Sequence, residues 1–243
     1  MLRTLKKRSL KTELMDDFNV PKKVISAVFK DINRANQILG GNQITVQAVA
    51  ALFKTYPREK YTIVDVGCGD GSMLKRIVQY CRKQNVVVSC IGIDLNAHAI
   101  TIGKASCIDF PEIQFLQKDI LSLTSDEISC DILLCTLTMH HFTDNEIPIF
   151  LNQFAKLSTL GVVINDLQRS AFAYYLFKLF SIIFINTKIA KTDGLISISK
   201  GFRKQELIAF SKALPEVVHQ IRWRWAFRYL WLMQTSIQDT SYE

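Results

Sequence analysis

Proline is scarce, at 5 residues in 243, and glycine is little commoner at 10. That leaves no proline-rich spacer and no glycine-rich tether, and no internal repeat is visible. With 49% apolar and 21% charged residues the chain is globular rather than disordered. The six cysteines (Cys68, Cys81, Cys90, Cys107, Cys130 and Cys135) never form a C-x-x-C pair. The common zinc frameworks are thereby excluded, and several of these thiols sit inside apolar runs, where they serve as small buried hydrophobes. We therefore expect no disulfide, no metal and a reducing, cytoplasmic setting. No apolar run reaches the roughly 20 residues of a membrane span. Carboxylates are also in deficit, 22 against 30 Lys and Arg, for a net charge of +8. The basic start (Arg3, Lys6, Lys7, Arg8, Lys11) has no apolar core behind it, so it does not read as a secretory signal.

What the chain does have is concentrated in residues 62–73, Thr-Ile-Val-Asp-Val-Gly-Cys-Gly-Asp-Gly-Ser-Met. An apolar run ends in Asp65-x-Gly67-x-Gly69-x-Gly71, and helical spacing resumes at Met73. This is a buried strand, a tight turn and a helix N-terminus, the ligand-gripping corner of a doubly wound α/β sheet. A dinucleotide fold asks for G-x-G-x-x-G; here Ser72 stands at the third glycine position and the glycine comes one residue early. Asp65 suits a cationic ligand better than a pyrophosphate. A second apolar run, Val86–Ile93, ends in Asp94, roughly 20 residues on, where this architecture places a ribose-binding carboxylate. Three further runs end at Asp119, at Thr136 and at Asp166, each at the carboxyl edge where open α/β sheets bind ligands.

These motifs resemble those of the class I S-adenosylmethionine-dependent methyltransferases, whose first motif reads (D/E)-x-G-x-G-x-G. The resemblance implies a Rossmann-like, seven-stranded, mostly parallel sheet whose last strand runs antiparallel and inserts beside the fifth. It implies S-adenosylmethionine as cofactor, held by Asp65, Gly67, Cys68, Gly69, Gly71, Asp94, Leu95, Asp119, Ile120 and Thr136, with Asp119 on the adenine amine. The runs Leu14–Phe18 and Asn165–Arg169, with Ala173–Tyr175 and Trp223–Arg228, are similar to bacterial small-molecule methyltransferases found beside type III polyketide synthase or aryl-polyene genes. A more distant similarity is to quinone-ring methyltransferases. That likeness implies an aromatic, phenolic acceptor; Met15, Phe18, Asp166, Arg169 and Tyr174 are the candidate contacts, with an ordinary ion pair the favoured role for Asp166 with Arg169 and Tyr174.

A basic balance can signal nucleic acid. Here the fourth strand is followed by Cys135-Thr136-Leu137-Thr138-Met139-His140, without the (D/N)-P-P-(Y/F) of base-amine methyltransferases or the Pro-Cys of the cytosine-5 type. Nucleic acid is disfavoured, and a small aromatic or lipophilic molecule is the expected partner. Residues 1–57 read as a helical cap, with a helix over Lys22–Leu39 stopped by Gly40-Gly41 and a second over Thr45–Tyr56. Residues 58–243 carry the catalytic domain, closing with a helix over Arg203–Ala213 and two strands over Val217–Trp225 and Arg228–Gln234. Within it 167–201 is an inserted lid. Its segment Ala171–Ile185 is apolar nearly all round, so core helix, pocket wall and weak membrane-surface contact are all open readings. Monomer and homodimer are equally compatible with the sequence.

Methyl transfer needs an oriented acceptor and exclusion of water, and a phenol must also lose its proton. His140 and His141 follow the fourth strand at the expected mouth of the site, and position slightly favours His140 as the base. Thr143 and Glu146 match a capping box for the next helix. Transfer to oxygen is favoured over carbon; the rival functions are an RNA methyltransferase and a non-catalytic cofactor-binding protein.

Overall fold

The computed structural model describes residues 5–235, so Arg3 lies outside the described residues. Seven strands form one sheet in the order β3-β2-β1-β4-β5-β7-β6. They are β1 Lys60–Val66, β2 Val87–Asp94, β3 Ile113–Gln117, β4 Cys130–Thr136, β5 Ser158–Leu167, β6 Val217–Arg224 and β7 Arg228–Thr235. Six share one direction; β7 pairs antiparallel with both β5 and β6. The order reverses between β1, which pairs with β2, and β4, which opens a crevice at their carboxyl ends.

Successive side chains of each strand feed opposite cores. In β4, Ile132 and Leu134 pack with α2 (Gly41–Thr55) and α3 (Ser72–Gln84), while Leu133 and Cys135 pack with α5 (Ile147–Leu157) and α8 (Lys204–Ser211). With both faces covered, the central strands are apolar runs rather than alternating ones.

The cap holds two helices, α1 (Lys22–Ile38) and α2. α2 starts at Gly41, four residues ahead of the expectation, because Gly40 turns the chain at φ 70° and one helix passes almost directly into the next. Pro21 is the N-cap of α1, its carbonyl accepting from the Val24 and Ile25 amides. The insertion folds as α6 (Ala171–Phe184) and α7 (Lys188–Lys200). α6 is not a core helix: it buries only Ala173 and Ser181, and Leu179, Ile182 and Ile183 stand 61–69% exposed. No helix among the described residues is long and apolar enough to cross a membrane. The helix α4 (Ala97–Ser106) follows β2, its N-terminus capped by Asn96.

Candidate active site

The glycine turn places backbone against the crevice. Gly67, Gly69 and Gly71 all have positive φ, and at Gly67 a Cβ would lie 2.5 Å from Thr138, so only glycine fits there. The amides of Gly67 and Cys68 donate to the Ile93 carbonyl, and the Gly69 amide donates to Asp94 Oδ2 at 2.9 Å. Asp94 Oδ1 accepts from the Asn96 amide at 2.9 Å, so the tip of β2 and the turn are locked together. α1 is tied to the same corner through Asn33, which donates to Asp70 at 2.7 Å and accepts from Ser72.

A cavity of about 750 Å³ runs from this corner beneath α1, α6 and α7. Asp65, Gly67, Cys68, Gly69 and Asp94 line it. So do Leu95, Asp119, Ile120 and Thr136; Gly71 shapes the turn from behind. Asp119 also caps a short 3-10 turn by accepting from the Leu121 amide. Asp65 is 2% exposed, and burial, with Asp94 nearby, pushes its carboxyl up to about 8. Burial likewise raises Asp94, against the two amide bonds it accepts.

On the far side Met15 and Phe18 line the cavity, together with His140 and His141. The two histidines differ sharply. His140 is 2% exposed, its Nδ1 lies 2.7 Å from Asp166 Oδ1 and its Nε2 3.5 Å from Glu13 Oε1. Burial opposes its charge, but Asp166 and then Glu13 outweigh that and raise it to about 9. Burial would raise Glu13 in turn, yet His140, His141 and Lys200 bring it down to about 2. Both nitrogens of His140 therefore face carboxylates, an arrangement that favours the imidazolium. His141 is a quarter exposed, with Nδ1 3.0 Å from Asp16 and Nε2 3.9 Å from Glu13 Oε2.

Glu13, His140 and His141 bring ligand atoms within 4.8 Å of one another. The ammonium of Lys200 already fills that place, 3.3 Å from Glu13 Oε1 and 3.4 Å from His141 Nδ1. With the His140 imidazolium it answers the local negative charge without a divalent ion.

Three of the candidate acceptor contacts do not reach the cavity. Asp166 sits behind His140, accepting from its backbone amide at 3.0 Å as well as from its ring. Arg169 is 2% exposed and spent on Glu206, the Gly201 carbonyl and the Leu5 carbonyl. Tyr174 lines a separate shallow recess with Lys11 and Lys178.

The residues missed in sequence belong to the strap before α1. Arg8 donates to the Lys200, His140 and Phe142 carbonyls, pairs with Asp144 and stacks 4.5 Å over Phe202. Asp193 of α7 accepts from the Leu14 and Met15 amides. The strap thus closes the cavity from above. The acidic cluster Glu13, Asp16 and Asp17 inside a basic start was the one available signal.

Residues 63–161 match the family model of a methyltransferase domain. No curated protein matches significantly. Among solved structures, the chain is similar to the plantazolicin methyltransferase BpumL in complex with SAH, at 18% identity over 90% of this chain and 92% of that one, with a TM-score of 0.63. The plantazolicin methyltransferase BamL, in complex with a triazolic desmethylPZN analog and SAH, matches at 16% identity over 89% and 92%, also with a TM-score of 0.63. The magnesium protoporphyrin IX methyltransferase ChlM from Synechocystis PCC 6803, with bound SAM, matches at 15% identity over 96% and 100%, with a TM-score of 0.58. At these identities the likeness is one of fold. The chain carries a methyltransferase domain on the Rossmann-like methyltransferase fold, and it is an enzyme of that class.

Proposed function

We propose that this enzyme moves a methyl group from S-adenosylmethionine to a small aromatic or lipophilic acceptor, at a phenolic oxygen rather than at carbon. The observation that carries the reading is the single cavity in which acid-tipped strand ends meet an apolar chamber, with His141 among its lining residues. The donor set fits the cofactor. Asp65 is a buried carboxyl held up at about 8, and a ligand ammonium is the counter-charge that would ionise it. Asp94 and Asp119 at the neighbouring strand ends suit ribose hydroxyls and an exocyclic amine. The cofactor supplies a methyl group already activated on a sulfonium.

The protein's own work is placement, dryness and one proton. Phe29, Phe177 and Phe180 give the chamber apolar walls that exclude water from a hydrophobic acceptor. We assign the phenolic proton to His141, whose Nδ1 lies 3.0 Å from Asp16 and whose Nε2 faces the Glu13 carboxylate at 3.9 Å. His140, held by Asp166 and Glu13, acts as a positioning residue that fixes the strap over the site. The likeness to methyltransferases found beside type III polyketide synthase or aryl-polyene genes supports the phenolic acceptor. Weak contact of α6 with a membrane surface fits its exposed Leu179, Ile182 and Ile183, since a lipophilic acceptor partitions there.

Calorimetric titration with S-adenosylhomocysteine, then a lipophilic phenol panel with labelled cofactor, tests the proposal. Micromolar binding and label in an extractable product are expected. Binding without that product moves the acceptor to RNA or points to a non-catalytic role; no binding removes the functional case.

A further inference from the structure

Arg228 opens β7, and because that strand runs antiparallel its first residue lies at the carboxyl edge, paired with Leu167 of β5. Its side chain lines the cavity yet is 4% exposed. Nη2 donates to Asn36 Oδ1 at 2.7 Å, whereas Nη1 is buried without a hydrogen-bond partner. A second donor in the same cavity is in the same condition: Asn42 Nδ2, also buried and unpartnered. Arg8, Arg58, Arg82 and Arg169 each have a carboxylate partner, but among the described residues Arg228 makes no ion pair. Asp166, the nearest charge in effect on it, is committed to His140.

Room for this guanidinium is built in. A Cβ on Gly41 would stand 2.6 Å from Arg228 Cζ, and Gly41 is itself pinned by Asn165, whose amide donates to the Gly41 carbonyl at 2.9 Å. A buried cation with Nη1 unpaired and a buried amide without an acceptor are costly unless something with paired oxygens completes them. A carboxylate matches that demand: it is planar, it accepts two parallel bonds from a guanidinium, and it carries one charge against one.

We propose that Arg228 and Asn42 form a carboxylate-binding corner of this cavity. The inference rests on the reading of the cavity as a methyl-transfer site, where two ligands bring a carboxylate: the amino-acid end of the methyl donor and an aromatic acid used as acceptor. The chemistry at Arg228 is common to both.

Two calorimetric arms separate the sources, each run on the native protein and on Arg228→Gln, Arg228→Lys and Asn42→Leu. The first compares S-adenosylhomocysteine with 5′-methylthioadenosine, which lacks the amino-acid end. The second, at saturating S-adenosylhomocysteine, compares 6-hydroxy-2-naphthoic acid and a series of hydroxybenzoic acids with their primary amides. A cofactor carboxylate predicts that Arg228→Gln weakens S-adenosylhomocysteine at least tenfold while 5′-methylthioadenosine binds as before. An acceptor carboxylate predicts at least a tenfold preference for acid over amide, erased in Arg228→Gln. In either case Arg228→Lys restores part of the loss and Asn42→Leu costs severalfold. Should Arg228→Gln not fold, as judged by its thermal midpoint, Asn42→Leu decides alone. Unchanged S-adenosylhomocysteine affinity together with no acid preference would overturn the proposal, while native binding of S-adenosylhomocysteine would leave the methyl-transfer reading standing.

Discussion

The two ends of the cavity are built in opposite ways. The glycine end comes from short stretches of adjacent chain, β1 with its turn and β2 with its tip, and it collects carboxyls: Asp65, Asp94 and Asp119. The far end is gathered from the strap, α1, the turn after β4, both inserted helices and the start of β7, and its buried, unpaired charge is the guanidinium of Arg228. One end is a local solution that any strand–turn–helix corner can host. The other exists only once remote segments have met. That contrast teaches where chemistry shared with other methyltransferases ends and where individuality starts.

The largest expected effect lies at the junction. His141→Gln should lower turnover by about 10²–10⁴-fold, the usual worth of a positioned base, with S-adenosylhomocysteine affinity unchanged. Normal single-turnover rates in that variant would remove His141 from the chemistry. At the glycine end, Asp94→Ala should weaken S-adenosylhomocysteine more than tenfold by calorimetry, and retained affinity would refute its ribose role.

Next comes a pH effect with two opposite signs. Asp65 is held up at about 8 in the folded protein, so its contribution to stability is full below the ordinary carboxyl range and fades as pH climbs to about 8. A cationic ligand needs the ionised form, so its affinity should rise over the same interval, by at most about tenfold per pH unit, and flatten beyond. Titrations between pH 6 and 9 in buffers of different ionisation heat check this, and a proton count of zero on binding would contradict it.

At the strap His140 follows the stability sign of Asp65, and Glu13 opposes it. His140, raised to about 9, stabilises fully below its ordinary value and loses that contribution as pH rises through about 9. Glu13, lowered to about 2, contributes above its ordinary value and fails only as pH falls toward 2. Glu13→Gln should cost about 1–3 kcal/mol of stability and expose the strap to proteases near neutral pH; an unaltered cleavage pattern would show that the strap is held by Arg8 and Asp193 instead. The smallest effect is expected on α6. Ile182→Ser with Ile183→Ser should leave cofactor affinity untouched and reduce sedimentation with lipid vesicles severalfold, and equal sedimentation would detach α6 from any membrane role.

The sheet was legible because each central strand is an apolar run ending in a polar residue, and the glycine spacing located the turn that borders the cavity. The two final strands were legible too, while the antiparallel insertion of β7 followed from the family resemblance and not from the residues. The choice between the histidines was not. Their sequence positions are equivalent, and what separates them is burial and Asp166 on the next strand, which meets His140 alone, while Glu13 faces both. For Arg169 the favoured ion pair is present, but proximity to a strand end could not name its partner, Glu206 of α8. In α6 composition revealed an apolar helix but not which of its faces the fold would leave uncovered.

All six thiols are buried and unpaired. Burial raises Cys68 and Cys135 far above the usual thiol range, Cys81 to about 11 and Cys130 to about 12. A thiol-reactive dye added to the folded enzyme therefore meets almost no thiolate, and each modification counts an opening event. Cys68 stands in the ligand turn and Cys130 beneath α5, so the dye reads two clocks from one chain. Cofactor should slow the first far more than the second, giving a timer for breathing of the binding corner that needs no engineered label.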